Sequence, residues 1–364
     1  MKNSKKSLVV ILLFCVLLAA GVLALKNFRK IHRVGKQNNT SSVLSATSTS
    51  AILNKDSIAK ALAYTVSRHG LSFLILENGK IVFEDYHNGY EASDSHVLAS
   101  GSKSFSGIIL AALIQDGYVS SFDEKVSNTI TEWKNDPSKK DITIRQLLSL
   151  SSGLDPGDNG KAPSFSDAIN AQVSAPVGTF QYGPVPFQVF GELTKRKLNG
   201  KDPVVYLKER VLDPIGVTLA GWRNVSPGSP NMPGGAKMQA REWAEFGEFL
   251  RNKGLFQGKQ IIRPELIDEL TTLQTKNTPE QYGITFWLGQ ASEATEAGTK
   301  YSNSLPGEST SQNSEALPKF FMAAGAGKQR LYVIRSLGLV IVLQSDSGPQ
   351  DKFSDVEFLQ TLLK

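Results

Sequence analysis

Cysteine occurs once in the 364 residues, at Cys15, which excludes an intrachain disulfide and any cysteine-built metal site. Histidine is nearly as scarce: His32, His69, His87 and His96 are the four, and none follows residue 96. They show no His-x-x-x-His or acid-paired spacing, so neither a zinc hydrolase nor any other metal or cofactor is expected. The Gly-x-Ser-x-Gly elbow of hydrolases built on a Ser-His-acid triad is missing as well. Residues 1–36 lack acidic side chains and carry eight Lys and Arg, which leaves 32 basic against 34 acidic residues in the rest, a net of about −2. The formal charge of +6 therefore belongs to the terminus, and no nucleic acid partner is expected for the body.

Long apolar runs are also absent but for one. "LVVILLFCVLLAAGVLAL", residues 8–25, has the length of a membrane-spanning helix and basic flanks. Residues 1–36 read as a signal anchor, giving the chain a membrane contact through its N-terminal helix. A cleaved signal peptide is the alternative, with Val22 and Ala24 at the small-residue positions before a cut. The more basic downstream flank favours a cytoplasmic body, although large domains translocate largely regardless of such counts.

"QNNTSSVLSATSTS", residues 37–50, is small and polar, and residues 37–54 read as a flexible tether. The spacing Ile58, Leu62, Val66 predicts an amphipathic helix, and two β-rich runs around Asn78-Gly79 predict a hairpin. "PKFFMAAG", "QRLYVIRS" and "GLVIVLQSD" predict three short strands, closed by a helix with Phe353, Val356, Leu359 and Leu363 inward. The fold class that follows is α+β: a mixed, mainly antiparallel sheet built from both chain ends and flanked by helices, with a large helical insertion. The domain spans 55–364, its α/β part at about 55–115 and 275–364 and its helical part at about 116–274. The polar tract 289–315 reads as a mobile loop or lid.

Chemistry is sought in "LASGSKSFSG", residues 98–107, where Ser100 stands three residues before Lys103. Ser-x-x-Lys alone is weak, and a second copy, Ser57 and Lys60, lies on the first helix, where Asp56 or Ser57 reads as the cap and Lys60 as a solvated charge. Ser100 differs because "SFSGIILAALI" after it predicts a helix buried on most sides. Residues three apart share a helix face, so Lys103 reaches the Ser100 hydroxyl. Serine needs a base to become a nucleophile; burial and the positive helix end both favour the neutral amine that such a base must be. The helix start also offers the Ser100 backbone N–H to an oxyanion. Two further segments stand out: "TFQYGPVPFQVFGEL", with Tyr182 before a helix, and "FMAAGAGKQRLYVI", with small residues on an edge strand open to a substrate backbone.

Taken together, these segments resemble the serine β-lactamase-related hydrolases, the group of class C β-lactamases, DD-peptidases, carboxylesterases and 6-aminohexanoate-oligomer hydrolases. The resemblance covers roughly residues 70–345. "ASGSKSFSGIILAALIQDG" is similar to the nucleophile motif and "TIRQLLSLSSGL" to an "LLxHTSGL" stretch, with Ser151 in place of histidine. "YGPVPFQVFGEL" is similar to the tyrosine motif and "AAGAGKQRLYVI" to the glycine-rich active-site strand; "VLDPIGV" and "PGGAKMQAREWAEFGEFLRNKG" fall in family order between them. The resemblance implies that Ser100 forms an acyl-enzyme, Lys103 accepts its proton, and Tyr182 hydrogen-bonds the serine and shuttles the proton to the leaving group. It places a second oxyanion donor among Gly325, Ala326, Gly327 and Lys328.

Two departures redirect the substrate. Tyr182-Gly183-Pro184 replaces the usual Tyr-x-Asn and removes that amide, the sequence leaving open whether Gln188 substitutes for it, and the third motif lacks Lys-Thr-Gly or His-Thr-Gly. Lys328 and Arg330 are the cations near that motif that remain to bind a carboxylate. The function expected is an esterase or amidase on a small-molecule or peptide-like acyl substrate, with β-lactamase or DD-peptidase activity as an alternative. A non-catalytic envelope binding protein that keeps the fold is the rival class. No obligate protein partner is expected. Because such relatives act mostly outside the cytoplasm, the resemblance implies a bacterial-type cell envelope, anchored in the inner membrane with the catalytic domain outside. Trp133, Trp222, Trp243 and Trp287 read as packing residues, with Trp287 near the cleft mouth.

Overall fold

The structure is a computed structural model that describes residues 50–225, 228–275, 281–289 and 317–364. The expected anchor, most of the tether and nearly all of the expected lid lie outside the described residues. Among the described residues no helix is long and apolar enough to cross a membrane. In chain order the elements are α1 (Lys55–Val66), β1 (Gly70–Glu77), β2 (Lys80–Tyr86), β3 (His96–Val97), α2 (Lys103–Gln115), α3 (Ile144–Leu148), α4 (Phe165–Ala168), α5 (Val185–Lys197) and α6 (Pro203–Leu207). They continue with β4 (Gly221–Trp222), β5 (Ala236–Met238), α7 (Ala240–Arg251), β6 (Leu255–Phe256), β7 (Lys259–Gln260), α8 (Pro264–Leu270), β8 (Trp287–Gly289), β9 (Phe320–Gly325), β10 (Gln329–Ile334), β11 (Leu339–Ser345) and α9 (Asp355–Leu363).

Six strands form one sheet in the order β2-β1-β11-β10-β9-β8, so the two chain ends meet at the β1·β11 pairing. Every neighbouring pair is antiparallel, where a mixed sheet was expected. Asn78 and Gly79 close the β1–β2 hairpin with φ of 48° and 77°, the left-handed pair that a tight two-residue turn requires. A small three-stranded sheet, β3-β5-β4, lies outside the main one.

Helices cover both faces of the main sheet. On one, α1 and α9 pack through aromatic contacts: the Tyr64 and Phe353 rings lie 5.4 Å apart, and Phe73 of β1 and Phe358 of α9 5.5 Å. On the other lies α7, whose Gly247 presses so close that an added Cβ would stand 2.6 Å from both Leu331 and Val340. The stretch read as helical insertion thus contributes a covering helix to the sheet. The packed body also begins before residue 55: Leu53 is buried, Asn54 caps α1, and the Ala51 N–H donates to Glu77 at 3.1 Å.

Two helix faces differ from the periodicity reading. In α1 the buried side is Ser57, Ile58, Ala61, Tyr64 and Thr65, whereas Val66 is exposed, because Tyr64 has an aromatic pocket against α9. In α9 Phe358 and Leu362 are buried and Val356 and Leu363 only partly so. The expectation for α2 matches the structure: Lys103 through Leu113 are all buried. Its Phe105, Ile108, Ile109, Leu110 and Leu113 each contribute roughly 1.5–3 kcal/mol on removal from water, which makes α2 a rigid mount for its first turn.

Candidate active site

Ser100 lies on a short 3-10 turn, Ala99–Ser102, that runs directly into α2. Ala99 has φ +46°, a left-handed conformation that a non-glycine residue adopts only at roughly 1–2 kcal/mol, and it aims the next residue out of the turn. Neighbours on two sides impose that shape. On one, Ser102 Oγ donates to the Ala99 carbonyl at 2.7 Å and accepts the Ala236 N–H of β5 at 3.0 Å. On the other, Gly325 at the end of β9 abuts the turn, where an added Cβ would stand 2.1 Å from the Leu98 carbonyl oxygen. Gly325 therefore has to lack a side chain for β9 to reach the Ser100 turn.

Lys103, the first residue of α2, is 4% exposed. Its Nζ donates to Ser100 Oγ at 3.1 Å and, more weakly, to the Pro233 carbonyl at 3.5 Å. Two aromatic faces complete its surroundings: Nζ lies 4.6 Å from the centroid of Tyr182 and 5.4 Å from that of Phe187. The buried amine is thus held by one hydroxyl, one carbonyl and two rings.

Tyr182 reaches this position on a loop that the "SLSSGL" segment holds. Gly178 N–H donates to the Ser151 carbonyl and Gln181 N–H to the Leu150 carbonyl, both at 2.8 Å, while the Ser149 and Ser151 hydroxyls bond each other. Ser151, standing where histidine is usual in the resemblance, is a scaffold residue of this loop. Trp287 stacks on the Tyr182 ring, 5.7 Å between centroids at 28°, and so packs behind the site without lining the cavity. The ring face of Tyr182 meets Lys103; a hydrogen bond from its hydroxyl to Ser100, which the resemblance implies, is not among those formed here.

The third segment turns sharply after β9. Gly327 and Lys328 both have positive φ, 72° and 60°; glycine adopts this freely, whereas Lys328, like Ala99, is held there at a cost. Lys328 is buried, its ammonium 5.7 Å from the Phe353 ring. Arg330 braces the fold. Its guanidinium is paired with Asp355 at 2.6 and 3.0 Å and donates to the Gly325 carbonyl at 3.0 Å, fixing the strand end beside the Ser100 turn. Gln188 does not take the place of the missing amide, since its side chain bridges the Pro163 carbonyl at 2.6 Å and the Met232 N–H at 2.9 Å.

Ser100, Lys103, Tyr182, Gly325, Ala326, Gly327 and Lys328 all line one cavity of about 410 Å3. The sequence reading missed its remaining wall, which includes Asn159, Arg223, Asn231, Pro233 and Gly234. "NMPGG" signals only a turn, and nothing in its spacing marks it as a partner of residue 103. No Asp or Glu is among the lining residues described. Among the described residues no group of three or more His, Cys, Asp or Glu could hold a metal ion.

Comparison with known proteins bears on this arrangement. A sequence model described as Beta-lactamase matches residues 56–363. An uncharacterised protein of Alkalihalophilus pseudofirmus is 25% identical over 269 residues, 66% of this chain and 74% of that one. Among solved structures, a candidate 6-aminohexanoate-dimer hydrolase from Bacillus anthracis is similar with a TM-score of 0.64 at 21% identity, over 85% of this chain and 83% of that one. A family VIII carboxylesterase gives 0.61 at 17% identity, over 86% and 98%. At these identities the structural likeness shows the shared α+β fold.

Proposed function

The chain belongs to the Beta-lactamase family, and from that premise we propose that it is a serine hydrolase acting through an acyl-enzyme on Ser100, an esterase or amidase for a small or peptide-like substrate. The observation that carries the reading is the 3.1 Å contact between a buried Lys103 amine and Ser100 Oγ on the wall of a cavity with no acidic residue among its described lining. In the first step Ser100 Oγ bonds to the acyl carbon while its proton passes to the Lys103 amine. The ammonium so formed faces the Tyr182 and Phe187 rings, whose negative faces stabilise it as it develops. The oxyanion is held by the Ser100 N–H and by the Ala326 N–H, just past the point where Gly325 touches the nucleophile turn. Collapse expels the leaving group with a proton delivered by way of Tyr182, and water then releases the acyl group.

Pro184 on the cavity wall and a third segment without Lys-Thr-Gly or His-Thr-Gly favour esters and amides over β-lactams. A fluorophosphonate probe is expected to label the wild-type protein and not Ser100→Ala. A burst with p-nitrophenyl esters and no turnover of nitrocefin is expected; rapid nitrocefin turnover would move the assignment to β-lactamase. Equal labelling of wild type and variant would leave the rival reading, an envelope protein that keeps the fold without turnover. We further propose that residues 1–36 tether the domain outside the cytoplasm, which a reporter fused after Lys364 tests.

A further inference from the structure

The cavity wall carries two features that the catalytic reading leaves unused. Asn231 is 6% exposed, and its Oδ1 is sealed from solvent without a hydrogen-bond partner; among the described lining residues no other side-chain atom combines those properties. The backbone of Asn231 is fixed, its N–H donating to the Arg223 carbonyl at 2.9 Å and its carbonyl accepting Trp222 Nε1 at 3.0 Å. Arg223 itself is exposed, forms no ion pair among the described residues, and rests its Nη2 on the Gly234 carbonyl at 3.4 Å. Both side chains converge on Gly234: an added Cβ there would lie 3.6 Å from Asn231 Oδ1 and 3.8 Å from Arg223 Nη2.

A buried acceptor without a donor beside a guanidinium without a carboxylate calls for a ligand that brings both. We propose that Arg223 and Asn231 form the subsite that reads the substrate, Arg223 taking a free carboxylate and the Asn231 carboxamide oxygen accepting a neighbouring N–H. The substrate class is an acylated amino acid or short peptide with an anionic end. The soft side-chain torsion of asparagine lets the carboxamide oxygen turn to the ligand while the backbone stays anchored. Arg223 is the cation suited to this role, because Arg330 is neutralised by Asp355 and Lys328 points at Phe353. No acidic residue among the described lining repels the carboxylate.

The kinetic test rests on the hydrolase reading and compares the mono-p-nitrophenyl ester of glutarate, which keeps one carboxylate, with its methyl ester. Wild type is expected to favour the anion in kcat/KM by about tenfold, a preference that shrinks in high salt. Arg223→Gln is expected to bring the ratio near one, and Lys328→Gln to retain it; the reverse pattern overturns the assignment. The binding test needs no turnover: NMR titration of Ser100→Ala with N-acetylglycine and N-acetylsarcosine, which differ in the N–H. Preference for N-acetylglycine, lost in Asn231→Leu and kept in Asn231→Asp, is the expected result. Equal binding of the two by the parent protein, or a preference unchanged by Asn231→Leu, overturns it. A protein that hydrolyses neither ester but still shows the N–H preference would sink the hydrolase reading and leave the subsite standing.

Discussion

Two copies of Ser-x-x-Lys in one chain differ in almost everything except spacing. At the start of α1, Ser57 Oγ donates to the Asn54 carbonyl at 3.0 Å, Asn54 rather than Ser57 caps the helix, and Lys60 is exposed. At the start of α2, Ser100 is half-buried on a strained turn and Lys103 lies under it, 4% exposed and 3.1 Å away. What separates them is the helix each begins. Amphipathic α1 lies on the sheet surface, so its first turn faces water on one side. Helix α2 is buried all round, and β5, β9 and the tyrosine loop close over its first turn. Spacing brings a lysine within reach of a serine; enclosure is what the proposed base and nucleophile would require beyond it.

The sharpest way to break this comparison is to delete each serine in turn. Ser100→Ala is expected to abolish fluorophosphonate labelling and cut ester hydrolysis by at least about 1,000-fold. Ser57→Ala should leave both intact and lower stability by about 1 kcal/mol, the worth of one hydrogen bond, seen as a small drop in denaturation midpoint. Equal loss of activity from both substitutions would mean that enclosure does not distinguish the copies. The lysines give the next effect. Lys103→Met, which fills the same space without a base, is expected to cost about 100- to 10,000-fold in kcat/KM, whereas Lys60→Met leaves it unchanged.

Much of this contrast was legible in the residues. The apolar run after Lys103 announced a helix buried on most sides, and Asn78-Gly79 announced the hairpin at the edge of the sheet. The faces of α1 and α9 were not legible, because the aromatic contacts of Tyr64 with α9 outweigh the Ile58-Leu62-Val66 row. The attachment of α7 to the sheet escaped for a similar reason, as its partners Leu331 and Val340 lie about ninety residues on. In the site, the resemblance named Ser100, Lys103, Tyr182 and the segment 325–328, and the structure gathers them in one cavity. Asn231, Arg223 and the Pro233 carbonyl had no signal, since their contribution comes from where a loop passes.

The comparison is sharpened by silencing the motif while leaving both of its residues in place. Gly325→Ala puts a methyl group 2.1 Å from the Leu98 carbonyl oxygen, so either β9 or the nucleophile turn must move by about an ångström. About a 100-fold fall in kcat/KM is expected, with the fold retained by circular dichroism. Gly221→Ala, where a Cβ meets nothing within 4 Å, serves as the control and should change activity little. Full activity in Gly325→Ala would show that the turn tolerates displacement and that its clamp is not what activates Ser100.

The smallest effects test enclosure on charge pairs instead of nucleophiles. Arg330 and Asp355 are both buried, so Asp355→Asn leaves a guanidinium short of its counter-charge and is expected to destabilise by about 3–5 kcal/mol. Arg196 and Glu132 make an equally well-formed pair, with bonds of 2.7 and 2.8 Å, but Glu132 is half-exposed. The Arg196 hydrogen bonds hold the Glu132 carboxyl down at about 2. A carboxyl depressed in the folded state stabilises at pH values above its ordinary range and loses that contribution as pH falls toward the folded value. Between about pH 5 and pH 2 the thermal midpoint of wild type should therefore fall slightly more steeply than that of Glu132→Gln. Solvent screening keeps the difference small. A Glu132→Gln penalty at neutral pH as large as that of Asp355→Asn would show that enclosure does not grade these pairs.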